Sequence, residues 1–310
     1  MVSAQSDLIA LDGYLATAYQ HSGAATDLLA EGNTKAAELH MVAVAYAIAN
    51  AQDSAAALGS DLGPLVGLWN NGTPAATLEV TPSVWSDYAS PSAVGTSYTA
   101  GEASVAGSRR LMLAIGATTA AEATEVAQAC MAGDQNSVLF RPMWEMNQGS
   151  WFPLWNQQAL TAAEYKATWV TLVDAIRAVM PAAQFIWNQN ASDGNNLPGR
   201  TSTDTFPGTS YCDFIGVDIY DDFGSAAEAH TQLLEVIAFA QSVGLPWCLP
   251  EWGLANNLDV PGFVSMLQSA EGCYLQSLFS EVGLTSGNGT DITKAPGSLA
   301  AYRAWVAASG

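Results

Sequence analysis

From about residue 60 onward, short apolar runs alternate with amphipathic stretches of helical period, and few folds accept that order. Parallel strands need a long crossover between neighbours, and an amphipathic helix is the usual one. Strands are expected at Pro64–Trp69, Ala76–Thr81, Arg110–Gly116, Ser137–Trp144, Gln184–Trp187, Asp213–Tyr220, Pro246–Glu251 and Gly272–Phe279. Helices are expected at Thr119–Ala132, Thr161–Val179, Ser225–Val243, Pro261–Ser269 and near Gly297–Ala308. Eight strands with intervening helices predict a single α/β domain, a (β/α)8 barrel, and 310 residues is an ordinary length for one with insertions. The first 60 residues read as Ala-rich helices, a helical extension to the barrel. His40–Tyr46 reads alternatively as the first strand, since the gap from Asn70 to Ala75 leaves no room for a helix.

The richest segment runs from Val138 to Trp155. A hydrophobic strand leads into Arg141, Glu145 and Asn147, then into a loop carrying Trp151, Phe152 and Trp155. Strand alternation places Leu139, Arg141, Met143 and Glu145 on one face. A buried arginine beside a carboxylate is costly unless it is used, and the chain has only nine basic residues. Barrel active sites lie at the C-terminal ends of strands, where Glu145 falls.

These residues resemble glycoside hydrolase family 26, the β-mannanase-type family among the retaining barrels. Arg141-Pro142, Glu145-Met146-Asn147 and Ser150-Trp151-Phe152 match its acid/base motif; Trp144 stands where the family has histidine, and Gln148 is an added residue. A second segment, Leu245-Pro-Trp-Cys-Leu-Pro-Glu-Trp-Gly253, resembles the nucleophile strand of the same clan. Thr73–Pro82 is similar to a further family strand, with Leu78 in place of a tryptophan and Glu79 facing the cleft. The resemblance covers roughly residues 73–82 and 137–280. It implies Glu145 as general acid/base and Glu251 as nucleophile, ending the fourth and seventh strands.

Such a pair answers the chemistry of a glycosidic bond. One carboxyl protonates the departing oxygen and the other, ionised, attacks the ring carbon; carboxyls about 5–5.5 Å apart take the covalent, retaining route. The ionised Glu251 is expected to raise the proton affinity of Glu145 until it is itself esterified.

Around the pair, alternation along Asp213–Tyr220 puts Phe214, Gly216, Asp218 and Tyr220 on one face. The resemblance assigns Tyr220 a hydrogen bond to Glu251, and Asp218 is read as a sugar ligand or as a partner of Arg141. It makes Trp187 part of a sugar platform, with Asn188 and Asn190 as hydroxyl contacts. Trp151 and Trp155 are read as stacking sugars on either side of the cleavage point, and Trp252 as closing the pocket.

The net charge of −20 argues against nucleic acid, anionic membranes and polyanionic sugars. A neutral polysaccharide fits better, and ten Trp and ten Tyr offer flat faces for its rings. No metal or cofactor is expected: the chain has three histidines, and Cys130, Cys212, Cys248 and Cys273 lack metal spacing. Those cysteines read either as one disulfide or as buried thiols. No apolar run spans a membrane. An extracellular location is expected, although the start Met1-Val-Ser-Ala-Gln shows no signal peptide. The leading reading is a retaining endo-hydrolase of a β-linked polymer, with mannan first and β-glucan, xylan or galactan open. The rivals are an exo-acting β-glycosidase and an inactive glycan-binding barrel.

Overall fold

The computed structural model describes residues 64–69, 74–89, 110–133, 135, 138–147, 160–191, 202–221, 226–255, 258–287 and 289–309. The barrel belongs to the unit Leu65–Gly310; the Ala-rich helical extension expected over the first 60 residues lies outside the described residues. The alternative strand at His40–Tyr46 lies outside the described residues.

Eight parallel strands close on themselves in sequence order. They are β1 (Leu65–Trp69), β2 (Val84–Ala89), β3 (Arg110–Ile115), β4 (Leu139–Pro142), β5 (Gln184–Asn190), β6 (Phe214–Tyr220), β7 (Trp247–Gly253) and β8 (Cys273–Leu278). The first strand therefore lies at Leu65–Trp69, and β8 pairs with it to close the ring. The expected strand at Ala76–Thr81 is not one. Ala75–Leu78 forms a short helix, α1, entered through Pro74 and ended by Glu79 in the left-handed region (φ 58°). Ala-Ala-Thr-Leu holds a good helix former in three of four places, and β2 begins five residues later. The remaining helices are α2 (Ala120–Ala132), α3 (Ala162–Val179), α4 (Ala226–Val243), α5 (Pro261–Ser269) and α6 (Pro296–Ser309). Both α2 and α3 open on a capping box, Thr119 with Glu122 and Thr161 with Glu164, which satisfies otherwise unpaired N–H groups of the first turn.

Alternation along the strands divides the core in two. Outward residues such as Phe140, Phe185, Trp187, Ile215, Leu249 and Trp252 join the apolar layer between sheet and helices. Inward, β2 to β8 each supply one residue to a plug inside the barrel: Val84, Met112, Leu139, Ile186, Phe214, Cys248 and Leu275. Two residues beyond Leu139 and Ile186 come Arg141 and Asn188, and four beyond Phe214 comes Asp218. The period of two therefore delivers polar groups to the layer directly above the plug.

Strand β7 departs from strict alternation. Gly216 faces Cys248 and Asp218 faces Glu251, so two steps along β6 match three along β7. This is a bulge, and it re-aims the side chains that follow. Gly216 makes room for it: a Cβ there would meet Ile186 Cγ2 at 2.6 Å and Pro250 Cγ at 2.7 Å.

Candidate active site

Arg141 is the organising residue. It is wholly buried, and each part of its guanidinium has a partner. Nε donates to Asn188 Oδ1 at 2.5 Å, Nη2 pairs with Asp218 Oδ2, and Nη1 reaches Glu251 Oε2 at 3.4 Å. A fixed planar fork suits this task, because one cation orients groups from three strands at once. Burial opposes its charge, but Asp218 and then Glu251 outweigh that and hold the guanidinium firmly protonated.

Glu251 is 9% exposed and is held from both sides. The Tyr220 hydroxyl donates to Oε1 and the Tyr88 hydroxyl donates to Oε2. Strands β2 and β6 are four apart in the ring of eight, so the two phenols reach this carboxylate from across the barrel mouth. Phe279, just past β8, lies edge-on to both rings at 6.3 and 6.4 Å and stacks on Trp69 at 4.3 Å.

Glu145 arrives by a different route from the one alternation predicts. Strand β4 ends at Pro142, and Met143 (φ 47°) and Glu145 (φ 50°) both take left-handed backbone. Such conformations cost non-glycine residues on the order of 1–3 kcal/mol each and need support. Met143 N–H donates to Ile115 O, Glu145 N–H donates to Asn188 O, and the Tyr165 hydroxyl donates to Met143 O. Met143 consequently joins the outer core rather than the cleft. Glu145 remains partly exposed and accepts from Asn190 Nδ2 at 2.5 Å. Burial first, and the Glu251 charge second, push its carboxyl up to about 7.

Oxygens of Glu145, Asp218 and Glu251 all lie within 4.8 Å of one another. The Arg141 guanidinium already supplies the positive charge in their midst. For Glu145 and Glu251 this is the short separation of the covalent route, well below the roughly 6.5–9.5 Å that admits a water for inversion.

Residues 106–246 match the model of glycosyl hydrolase family 26. This stretch of the chain is similar to that family. A mannan endo-1,4-β-mannosidase of Bifidobacterium adolescentis is 30% identical over 100 residues, 32% of this chain. The match spans about a tenth of that relative's length. Among solved structures, a Cellulomonas fimi endo-β-1,4-mannanase superposes with a TM-score of 0.61 at 16% identity, covering 83% of this chain and 74% of that one. The catalytic domain of a Bacillus sp. JAMB-750 endo-β-1,4-mannanase gives 0.62 at 17%, covering 81% and 88%. At such identities the likeness is one of fold.

The barrel brings together Arg141, Glu145, Asp218, Tyr220 and Glu251, and it reassigns other expected sugar contacts. Asn188 is fully buried and holds Arg141. Asn147, 1% exposed, exchanges two hydrogen bonds with the Asn190 backbone, so it clamps the Glu145 segment to β5. Trp187 is 0% exposed, 5.5 Å from both Phe206 and Phe239, and forms no sugar platform. Its neighbours Ile186 and Asn188 take the inward face of β5. Trp252 is likewise 0% exposed; it packs on Tyr302 and Trp305 of α6 and donates to Gln276 Oε1 at 2.6 Å. The bulge that turns Glu251 inward turns Trp252 out. Glu79 precedes β2, at the opposite end of the barrel, where it pairs with Arg303 at 3.0 Å. Trp151 and Trp155 lie outside the described residues. The four cysteines are buried and free, and no described helix is long and apolar enough to cross a membrane.

Tyr88 is the site residue that the sequence reading missed. The strand Val84-Trp-Ser-Asp-Tyr-Ala89 alternates correctly, with Val84, Ser86 and Tyr88 on one face, but its inward row is not uniformly apolar.

Proposed function

We propose that this domain is a retaining endo-β-1,4-mannanase, with Glu145 as acid/base and Glu251 as nucleophile. The observation that carries the reading is the 4.8 Å limit on the separation of their carboxylate oxygens, on a barrel whose cation is already fully engaged. In the first step Glu145 gives its proton to the glycosidic oxygen. The bond from that oxygen to C1 breaks as C1 bonds to a Glu251 oxygen. In the second step a water attacks C1, Glu145 takes the water's proton, and the ester bond to Glu251 breaks. Tyr88, Tyr220 and Arg141 hold the carboxylate and receive it again when the ester is cleaved. Mannan as the polymer is supported by the names of the relatives and by a net charge of −20, which favours a neutral chain. A polymer does not cross a membrane, so the proposal includes action outside the cell.

The test is a panel of mannan, lichenan, xylan and galactan, with products resolved by length and anomer. Mixed mannooligosaccharides released early, with retained configuration, are expected. A 2-deoxy-2-fluoro glycoside should label the peptide containing Glu251. An inverted product, or a label elsewhere, would overturn the assignment.

A further inference from the structure

Asp218 does more than pair with Arg141. It is wholly buried, and only Oδ2 is engaged by the guanidinium; Oδ1 has no hydrogen-bond donor although no solvent reaches it. A buried acceptor left this way is costly, and more so when it is charged. An Asp218 oxygen lies within 4.8 Å of oxygens of both Glu145 and Glu251. Two ionised carboxylates repel. They attract only when a hydrogen lies between them, and such a hydrogen would give the orphan oxygen its donor.

We propose that Asp218 is the resting partner of the catalytic proton. In the empty site Glu145 and Asp218 hold one hydrogen between them as an acid–carboxylate pair, and the pair lends and recovers it. The idea rests on Glu145 being the acid. The charged and titratable groups facing Asp218 are Arg141 from β4, Glu145 beyond it, and Cys248 and Glu251 from β7; the Tyr88 and Tyr220 phenols lie one contact further, on Glu251. Three carboxylates share one guanidinium, so a single bound proton brings the group nearer to balance. Burial also raises the proton affinity of Asp218 itself, as expected of a partner that shares rather than repels.

Through the cycle the proton balance closes. Substrate binding draws the hydrogen from Asp218 toward the glycosidic oxygen, which keeps it as the leaving hydroxyl. Esterification of Glu251 removes one negative charge while Glu145 is bare. The attacking water then returns one proton to Glu145, and the regenerated Glu251 charge drives it back into the space shared with Asp218.

Asp218→Asn tests this. The amide keeps the shape but carries no charge and cannot hold the proton. The basic limb of kcat/KM against pH should fall by about one unit or more, the size expected for removing one charge at under 5 Å. A residue that only braced Arg141 would lower the rate at every pH and leave the limb where it was, and that result would overturn the proposal. Glu145→Ala, assayed on an aryl glycoside whose leaving group needs no acid, must abolish the same limb. If it does not, the acid assignment itself fails, which separates the two questions. In the unaltered enzyme, carbon-13 labels should show the Asp218 and Glu145 carboxyl resonances moving together with one midpoint. An Asp218 signal that stays still while Glu145 titrates would also overturn the proposal.

Discussion

Tyr88 and Tyr220, on strands that face each other across the barrel, donate to the two different oxygens of the Glu251 carboxylate. Their inputs are not equal. Oε2 also receives Arg141 at 3.4 Å, whereas Tyr220 is the one donor to Oε1 among the described residues.

That asymmetry orders two variants. Tyr220→Phe should cost about 10- to 100-fold in kcat/KM, the size of one hydrogen bond to a charged group. Tyr88→Phe should cost less, because Arg141 stays on the same oxygen. Steady-state kinetics on a soluble oligosaccharide checks the order, and equal losses would contradict it.

Removing Glu251 as Ala should lower turnover by on the order of 10³-fold or more. An added small anion such as azide should restore part of the rate and yield a product of opposite anomeric configuration, read by NMR. Ordinary hydrolysis by this variant would exclude Glu251 as nucleophile.

The raised proton affinity of Glu145 has a sign in both activity and stability. The acid must carry its proton, so kcat/KM should fall as pH climbs through about 7. Because folding lifts the carboxyl above its ordinary 4.5, the contribution to stability is full below that value and disappears as pH rises through 7. Thermal melts at pH 5 and 8 should show a loss in the wild type that Glu145→Gln reduces.

Arg141→Met should leave two buried carboxylates without their cation and destabilise the domain by about 3–5 kcal/mol. Arg141→Lys should do little better, since a point charge cannot span Asn188, Asp218 and Glu251 together. Denaturant titration measures both.

Trp187→Ala should act on the fold rather than on substrate. A loss of about 3–5 kcal/mol is expected for emptying this packed site, with KM nearly unchanged for the fraction still folded. A large rise in KM at unchanged stability would restore the platform role.

The βα rhythm was legible because apolar runs and amphipathic helices have different periods, and seven of the eight strands fall where that rhythm puts them. β2 was not: Ser86 and Asp87 interrupt its apolar signal, while Pro74 and the alanines after it drew the eye to a segment that is helical. The two glutamates were legible as chemistry rather than as geometry. Alternation carried through Met143 puts Glu145 in the cleft on paper, yet the chain gets it there by two left-handed residues. The tryptophans show the opposite failure. A flat ring after a strand fits a sugar and a helix layer equally well, and only the facing of β5 and β7 decides between them. For Trp187 the alternation was already in hand, since Asn188 and Trp187 cannot both point inward.

The bulge in β7 makes the site depend on one local irregularity of the backbone. Pleated in the ordinary way, the three steps from Cys248 to Glu251 would present an indole to the mouth and send the carboxylate toward α6. The barrel would keep its strands and lose its reagent. Changes that straighten this short run, above all at Gly216 where a Cβ would meet Pro250, are therefore where a scaffold of this kind crosses between carrier and catalyst.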